Sequence, residues 1–342
     1  MEYRRRCKMK VFISGVAGFL GSHLADSLIN QGVEVVGVDN LVGGQLKNVN
    51  SKVEFHQEDC GNLKKMNEYM KGCDVVFHAA CTAHDGLSLF SPYYITHNTF
   101  GITMSVLSAA AQNKIKKFIY CSSMSRYGEQ ETLPFIEEMD CNPRVPYGVA
   151  KYAAELVIRQ ICELNDIYFN IVVPHNIVGP RQRSNDPFRN VAAIMINRML
   201  QGKQPIIYGD GEQKRCFSDI EDVIYCIEQL IFRNDLNGEI FNIGPDEEFV
   251  SINELAKIIA NELKFNLHPI YVPARPNEVK YATCSAEKAR RILNYKTKVD
   301  LKTSIKRMVD YIKKDGAEEF EYNYDIEIIN DKTPKTWKDK MI

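Results

Sequence analysis

The sequence lacks the features that mark membrane proteins, secreted proteins and nucleic-acid-binding proteins. Its 43 basic and 44 acidic residues leave a formal net charge of -1, which offers no attraction to a polyanion. No apolar run reaches the roughly 18–20 residues needed to span a bilayer. The basic segment Met1–Lys8 leads only into the apolar run Val11–Ile13, which is too short for the core of a signal peptide. We therefore expect neither a nucleic acid nor a membrane as partner.

Disulfide and metal-binding patterns are missing as well. None of the ten cysteines forms a Cys-x-x-Cys pair, and none of the seven histidines belongs to a His-Glu-x-x-His motif. Several cysteines stand inside apolar runs, as buried thiols do in a reducing compartment. The sequence therefore predicts free thiols, no metal site and a cytoplasmic location.

What the chain does contain is an alternation of short apolar, β-rich runs with segments of helical length. Its 342 residues correspond to about two domains of roughly 150 residues each. Continuous apolar runs such as Val75-Val76-Phe77 suit strands buried on both faces, and their alternation with helices indicates βαβ units around a parallel sheet. The predicted strands are 10–14, 33–39, 53–56, 74–80, 117–122, 170–174 and 239–243, and the predicted helices are 22–31, 63–71, 99–113 and 146–165.

The alternation of apolar runs with helical segments changes after about residue 174. Breakers such as Gly179-Pro180 and Asp186-Pro187 divide the chain into shorter elements, which indicates a smaller second lobe. We predict a first domain at 1–174 with a returning segment at about 215–245, and a second lobe made mainly of 175–342. The charged and aromatic stretch 320–342 has no predicted place.

A glycine-rich turn directly follows the first predicted strand. Gly15, Gly18 and Gly21 have the spacing Gly-x-x-Gly-x-x-Gly and open a helix. Glycine lets the backbone turn tightly and approach a pyrophosphate, while the free N–H groups and dipole of the helix N-terminus favour an anion. For this motif taken alone, a plain strand–helix turn is the alternative.

An acidic residue ends the second predicted strand. Asp39 stands where a carboxylate can accept hydrogen bonds from an adenosine ribose, and where it would repel a 2′-phosphate. The alternative is a turn built on the pair Asp39-Asn40. The position at the strand end favours the first interpretation, which predicts NAD rather than NADP as cofactor.

A tyrosine and a lysine four residues apart are candidates for proton transfer. Tyr147 and Lys151 fall on one face of the predicted helix 146–165. An ammonium group favours the phenolate and lowers the phenol pKa from about 10, so this tyrosine could exchange a proton with a substrate hydroxyl. Ser123, just beyond the strand 117–122, would share that hydroxyl. Taken alone, a Tyr-x-x-x-Lys pair is also common on protein surfaces.

Together these motifs resemble the extended short-chain dehydrogenases/reductases. The three glycines, the stretch Ser122-Ser123-x-x-x-Tyr127-Gly128 and Tyr147-x-x-x-Lys151 occur in the order typical of the nucleotide-sugar epimerase/dehydratase family, whose best-known type is UDP-glucose 4-epimerase. The resemblance extends over roughly residues 9–310. It implies a Rossmann-type, doubly wound α/β sheet with a smaller C-terminal α/β substrate lobe, NAD as cofactor, a nucleotide sugar as substrate and a homodimer.

The resemblance also implies roles for individual residues. The implied catalytic residues are Ser123, Tyr147 and Lys151. The implied cofactor-binding residues are Gly15, Gly18, Phe19, Leu20, Gly21, Asp39, Asn40, Asp59, Cys60, Ala79, Ala80, Cys81, Asn98, Ser122, Tyr147, Lys151, Pro174 and His175. The implied substrate-binding residues are His84, Asn176, Asn190, Val191, Tyr208, Arg215 and Arg275, with both arginines on a diphosphate. For His84 and its neighbour Asp85, a solvent-exposed loop is an equal alternative.

One segment departs from the family pattern. Dehydratases of the family carry an Asp-Glu pair before Tyr127-Gly128, and decarboxylases carry a Glu, whereas this chain has Met124-Ser125-Arg126. The missing carboxylates argue against dehydration. Arg126 is expected to touch either an acidic sugar or the protein surface.

The sequence therefore predicts C4 epimerisation of a nucleotide-diphosphate sugar, such as a UDP-hexose or a UDP-N-acetylhexosamine, through a transient 4-keto intermediate. A one-way oxidation or reduction at C4 is the alternative, and a dehydratase is a less favoured one. A protein that binds NAD without catalysis is disfavoured because Ser123, Tyr147 and Lys151 are all present.

Overall fold

The chain builds a seven-stranded sheet whose strands all run parallel. The computed structural model describes residues 9–342. In chain order the strands are β1 (Lys10–Ser14), β2 (Glu34–Asp39), β3 (Glu54–Gln57), β4 (Val75–His78), β5 (Lys117–Cys121), β6 (Tyr168–Pro174), β7 (Ile177–Val178), β8 (Ile206–Tyr208), β9 (Lys214–Arg215), β10 (Ser218–Asp219), β11 (Ile240–Ile243), β12 (Val250–Ser251), β13 (Ile270–Val272) and β14 (Tyr281–Ala282). The large sheet has the spatial order β11-β6-β5-β4-β1-β2-β3.

Helices cover both faces of this sheet. They are α1 (Phe19–Asn30), α2 (Leu63–Tyr69), α3 (Pro92–Thr96), α4 (Ile102–Gln112), α5 (Pro146–Leu164), α6 (Val191–Leu200), α7 (Ile220–Phe232), α8 (Ile252–Leu263), α9 (Glu287–Leu293), α10 (Leu301–Asp315) and α11 (Lys335–Lys338). One hydrophobic core packs α1, α7 and α9 on the sheet, and another packs α2, α4 and α5 on the opposite face. The sheet is therefore doubly wound, as predicted, and strands such as β4 are buried on both faces.

The predicted helix 99–113 is the clearest local difference between sequence and structure. The backbone forms a π-helical stretch at His97–Gly101, and the α-helix begins only at Ile102. The wide turn carries Asn98, whose side-chain amide donates to the Tyr94 carbonyl at 2.9 Å. Such single π turns occur often at functional sites, and this one lies beside the cavity described below.

The second lobe consists of shorter elements beyond β6. Its hydrophobic core is formed by α6, α8 and α10, and small sheets pair β8 with β13, β7 with β10, and β9 with β12 and β14. The chain returns to the first sheet through α7 and β11, which lie in the segment that the sequence indicated. It returns again through α9, which sequence reasoning did not identify.

Residues 316–342, the C-terminal tail, cross from one lobe to the other. On the first domain, Ser91 Oγ donates to the Asp325 carbonyl at 2.9 Å. On the second lobe, the Asn197 side-chain amide donates to the Glu318 carbonyl at 2.8 Å. The stretch that had no predicted place therefore bridges the two lobes.

Thiols and metal-ligating side chains are dispersed over residues 9–342. Nine cysteines in this range are free thiols, whereas Cys7 lies outside it. In the same range, no three His, Cys, Asp or Glu side chains gather in a way that could hold a metal ion. None of the helices described there is long and apolar enough to cross a membrane.

Candidate active site

The glycine turn after β1 brings the backbone close around the start of α1. Gly15 has a φ of +76°, and its N–H donates to the Val38 carbonyl at 2.8 Å. A Cβ on Gly21 would lie 2.2 Å from the carbonyl oxygen of Gly15, so only glycine fits there. Because α1 begins without a side-chain cap, its first N–H groups remain available to a ligand. This geometry suits a pyrophosphate.

Asp39 lies beside this turn, at the end of β2. Its carboxylate accepts hydrogen bonds from the N–H groups of Ala17, at 3.0 Å, and Leu41, at 2.8 Å. Burial raises the pKa of Asp39, and these two N–H groups oppose the rise. Alongside, the Asn40 amide donates to the Asp59 carboxylate at 3.0 Å. The carboxylate is therefore held in one orientation at the cavity wall, where a ribose could reach it.

The middle of the cavity wall comes from the end of β4 and from the π-helical stretch. Residues 79–81 follow β4, and the Ala79 N–H donates to Ser14 Oγ at 3.1 Å. The Asn98 carbonyl accepts from the Thr82 N–H at 3.2 Å, which joins the two segments. Burial raises the pKa of the Cys60 thiol, so this cysteine is protonated and unsuited to act as a nucleophile.

Tyr147, Lys151 and Ser123 meet where β5 ends and α5 begins. The Lys151 Nζ lies 5.8 Å from the centroid of the Tyr147 ring, one helical turn away. It also donates to the Cys121 carbonyl at 2.7 Å, which holds the ammonium group at the end of β5. The Ser123 Oγ accepts from the Ser125 N–H at 3.2 Å. Tyr147, Lys151 and Ser123 all line the same cavity.

Burial and charge act in opposite directions on the Tyr147 phenol. Burial raises the pKa of Tyr147 well above its usual value, and the Lys151 ammonium opposes that rise. The expected effect of Lys151 is therefore present but smaller than the effect of burial. Burial therefore disfavours the phenolate form of Tyr147, and the Lys151 ammonium favours it.

Arg126 occupies neither of its two expected positions. Its side chain is 4% exposed, and its Nη2 lies 3.0 Å from the Glu155 carboxylate on α5. The Ser122 hydroxyl donates to the other oxygen of the same carboxylate. The expectation of a sugar or surface contact for Arg126 is wrong, because a buried carboxylate requires a cation and Arg126 supplies it. This pair braces α5, the helix that carries Tyr147.

The loop after β4 places two neighbours, His84 and Asp85, in different surroundings, although the same two alternatives were expected for both. His84 is fully buried with its Nε2 2.9 Å from the Asp186 carboxylate, and it does not line the cavity. The expectation that His84 contacts the sugar is therefore corrected, since a buried imidazole needs a polar partner and has one inside the protein. Asp85 opens onto the cavity instead, where the Ser125 hydroxyl donates to its Oδ1 at 2.5 Å.

Three further residues that line the cavity were expected to bind the substrate: Asn190 and Val191 at the diphosphate or base, and Asn176 at the sugar. Asn190 caps α6 by accepting from the Ala192 N–H at 2.9 Å, and Val191 is the first residue of that helix. Asn176 has a φ of +35° and donates through its amide to the Cys216 carbonyl at 3.0 Å. These contacts set the orientation of the cavity wall beyond β6.

Pro174 and His175 lie where β6 leaves the sheet. The His175 N–H donates to the Ile243 carbonyl of β11 at 3.0 Å. Burial lowers the pKa of the His175 imidazole to about 3, with Arg215 adding to the effect. The ring is therefore neutral and is unsuited to proton transfer near neutral pH.

The two arginines expected on a diphosphate line the cavity, and both are anchored by the protein. Arg215 donates to the Val279 carbonyl at 2.5 Å. Arg275 donates twice to the Glu278 carboxylate, at 2.6 and 3.3 Å, and its guanidinium lies 5.1 Å from the Tyr208 ring centroid. Because the guanidinium groups are already oriented, the two arginines lose less side-chain entropy when an anion binds.

These groups face a shared cavity of about 560 Å³. Of all the predicted site residues, His84 alone does not line it. Asp85, which was expected with His84 to face either the sugar or solvent, lines it as well. Other lining residues were not assigned from the sequence, including Arg144, Phe188, Arg189, Glu278, Tyr324, Trp337 and Ile342. No motif indicated the last three, because they lie in the tail beyond the family resemblance.

Known proteins share both this sequence pattern and this fold. The model of the NAD dependent epimerase/dehydratase family matches residues 11–244. A putative UDP-glucose 4-epimerase from Methanocaldococcus jannaschii is 36% identical over 307 residues, which cover 89% of this chain and 98% of that protein. The UDP-glucose 4-epimerase of Thermotoga maritima, solved with UDP-glucose, has a TM-score of 0.85 at 29% identity, covering 90% of this chain and 99% of its own.

A third similar protein was solved with both a substrate and a cofactor. The UDP-glucuronic acid 4-epimerase of Bacillus cereus, in complex with UDP-glucuronic acid and NAD, has a TM-score of 0.83 at 29% identity, covering 90% of this chain and 99% of its own. The family match spans more than half of the chain, and the resemblance inferred from the motifs is confirmed. This chain belongs to the NAD-dependent epimerase/dehydratase family, and its cofactor is NAD.

Proposed function

We propose that this enzyme interconverts the C4 epimers of a UDP-linked hexose or N-acetylhexosamine. The observation that carries the proposal is the meeting of Tyr147, Lys151 and Ser123 in the cavity that also contains the glycine turn. The absence of a carboxylate from Met124–Arg126 supports epimerisation over elimination. The names of the Methanocaldococcus and Thermotoga relatives support a uridine nucleotide.

The residues of the chain can perform the proton transfers of this reaction. When bound, NAD supplies a hydride acceptor and donor and a positively charged ring. The Lys151 ammonium favours the phenolate form of Tyr147, against the burial that disfavours it. As a phenolate, Tyr147 accepts the proton of the C4 hydroxyl, while Ser123 Oγ bonds to the same sugar oxygen and orients it. Tyr147 returns the proton to the same oxygen after the 4-keto sugar has rotated so that its opposite face lies toward the cofactor.

The position of Asp85 favours a second candidate function, which is the elimination of water from the sugar. Its carboxyl group opens onto the cavity and is bonded to Ser125, two residues from Ser123. Elimination requires both an acid and a base, and the neighbouring carboxylate of Glu278 is held by two hydrogen bonds from Arg275. A single available carboxyl suits recognition of the sugar better than elimination, so epimerisation stays the leading proposal.

The test is to incubate the purified enzyme with UDP-glucose, UDP-N-acetylglucosamine and related nucleotide sugars in deuterated water, and to identify the products by NMR. An epimerase gives the C4 epimer without deuterium on carbon, because the hydride returns to the carbon that it left. The absorbance of NADH then rises only to a small steady level. Deuterium at C5 would instead indicate elimination, and sustained NADH production would indicate one-way oxidation. Either result would overturn the proposal.

A further inference from the structure

The C-terminal tail contributes side chains to the substrate end of the cavity. Tyr324, Trp337 and Ile342 line it. The Trp337 side chain is 3% exposed and packs edge to face against Phe188, with ring centroids 5.5 Å apart, and against Tyr208, at 6.3 Å. Tyr324 and Trp337 therefore belong both to the cavity wall and to a small hydrophobic cluster that joins the tail to the rest of the protein.

A hydrogen bond connects the tail to the diphosphate end of the site. Thr336 Oγ1 lies 2.6 Å from the Tyr208 hydroxyl. The Tyr208 ring in turn lies 5.1 Å from the guanidinium of Arg275, which is one of the two arginines expected on the diphosphate. Thr336 holds Tyr208, and Tyr208 packs on Arg275, so the tail adds to the anchoring that Glu278 gives this arginine.

Trp337 also reaches toward the sugar end. The point that a Cβ on Gly86 would occupy lies 3.3 Å from Trp337 Cη2 and 3.4 Å from Arg275 Nη1. Gly86 directly follows Asp85, whose carboxylate is bonded to Ser125. The indole ring, the arginine and the Asp85 loop therefore meet between the nucleotide end and the catalytic residues.

The tail is held in this place from both lobes. The Ile328 N–H donates to the Phe90 carbonyl at 2.8 Å, and Arg198 Nη1 donates to the Met341 carbonyl at 3.2 Å. The tail lies outside the segment that the family model matches. The Methanocaldococcus relative is matched over 98% of its length by 89% of this chain, so about a tenth of this chain has no counterpart in it.

We propose that the C-terminal tail is part of the nucleotide-sugar site, and that Thr336 and Trp337 position Tyr208 and Arg275 for the diphosphate of the substrate. Both are positioning residues, because they act through their neighbours. The inference rests on the nucleotide-sugar part of the proposed function and is independent of the reaction at C4.

Thr336→Val tests the hydrogen bond, because it removes the hydroxyl at nearly constant volume, and Thr336→Ser is the matched control that keeps it. In calorimetry with UDP and with UDP-glucose, Thr336→Val should raise the Kd about 5–20-fold, the scale of one lost hydrogen bond at a buried group. KM for the nucleotide sugar should rise similarly while kcat and the Kd for NAD stay unchanged. Thr336→Ser should bind like the wild type. An unchanged Kd in Thr336→Val would overturn the inference.

Trp337→Ala tests the contribution of the tail to the cavity wall, with Ile326→Ala as control for damage to the tail. Ile326 packs on the same hydrophobic cluster from the tail but does not line the cavity. Both variants should lose stability in thermal unfolding. Only Trp337→Ala should weaken the binding of UDP-glucose by tenfold or more, which is the effect expected when a buried aromatic residue is removed from a binding interface. Equal weakening in both would overturn the positioning role.

Measurements of substrate binding test this inference separately from the proposed reaction. A wild-type enzyme that binds UDP-glucose without forming an epimer overturns the reaction and leaves the tail test intact. A wild-type enzyme that binds neither UDP nor any UDP-sugar overturns both.

Discussion

Asp85 gives a sharp test of which sugar the cavity accepts. Asp85→Asn keeps the shape of the side chain and an oxygen that can accept from Ser125, but it removes the negative charge. We expect the wild type to discriminate against UDP-glucuronate, whose sugar carries a carboxylate, and the variant to accept it better. A nearby cation, Arg275, is already paired with Glu278.

The size of the effect follows from the charges. Two carboxylates about 6 Å apart, at an effective dielectric constant of about 20, repel each other by about 2.8 kcal/mol, or roughly 100-fold in affinity. Asp85 opens to water in the cavity, and Arg215 and Arg275 attract both carboxylates, so the net repulsion is smaller. We expect the ratio of kcat/KM for UDP-glucuronate to that for UDP-glucose to rise about 10–30-fold in Asp85→Asn.

The same discrimination should depend on pH. Burial raises the pKa of Asp85, and the hydrogen bond from Ser125 opposes the rise. As the pH falls toward this raised pKa, the carboxylate gains a proton and the wild type should accept UDP-glucuronate better. The Asp85→Asn variant should lack this dependence. The assay is initial-rate epimerisation of both sugars by NMR from about pH 8 to pH 5. A selectivity ratio that neither the substitution nor the pH changes would refute the reasoning.

Three further substitutions test other parts of the site. Tyr147→Phe should lower kcat by about 10²–10⁴-fold with NAD binding intact, as checked by turnover and cofactor titration, and a near-normal rate would assign the proton transfer to another group. Asp39→Ala should narrow the preference for NAD over NADP in calorimetry, because it removes the charge that repels a 2′-phosphate; equal wild-type affinities would contradict this. Arg126→Met should lower the free energy of unfolding by about 3–5 kcal/mol in urea melts, because it leaves Glu155 buried without a cation. Adding Glu155→Leu should restore part of that loss.

The parts of the site that were predictable depend on short-range spacing. The glycine turn follows from Gly15, Gly18 and Gly21, whose separations determine how closely the backbone of α1 approaches β1. Tyr147 and Lys151 share a helix face because they are four residues apart. The strand alternation likewise predicted the parallel sheet, since buried strands need continuous apolar runs.

The parts that were not predictable depend on partners far along the chain. His84 and its partner Asp186 are 102 positions apart, and the Tyr208 hydroxyl meets Thr336 across 128 positions. No local pattern indicates such a pairing, and a family resemblance that ends near residue 310 cannot place the tail. The wrong expectation for Arg126 has the same cause, because its environment is created by Glu155 on a different element.

The position of β11 in the sheet has a consequence for the folding of the chain. β6 pairs with β5 on one side and with β11 on the other, but β11 is synthesised much later. Until then, β6 presents unpaired backbone groups together with the apolar run Ile171-Val172-Val173, and such an edge is a template for pairing with other chains. Chains interrupted between β6 and β11 would therefore contain the glycine turn and the three residues proposed to be catalytic, and yet be prone to aggregate. Nascent chains of that length are where a chaperone would be needed.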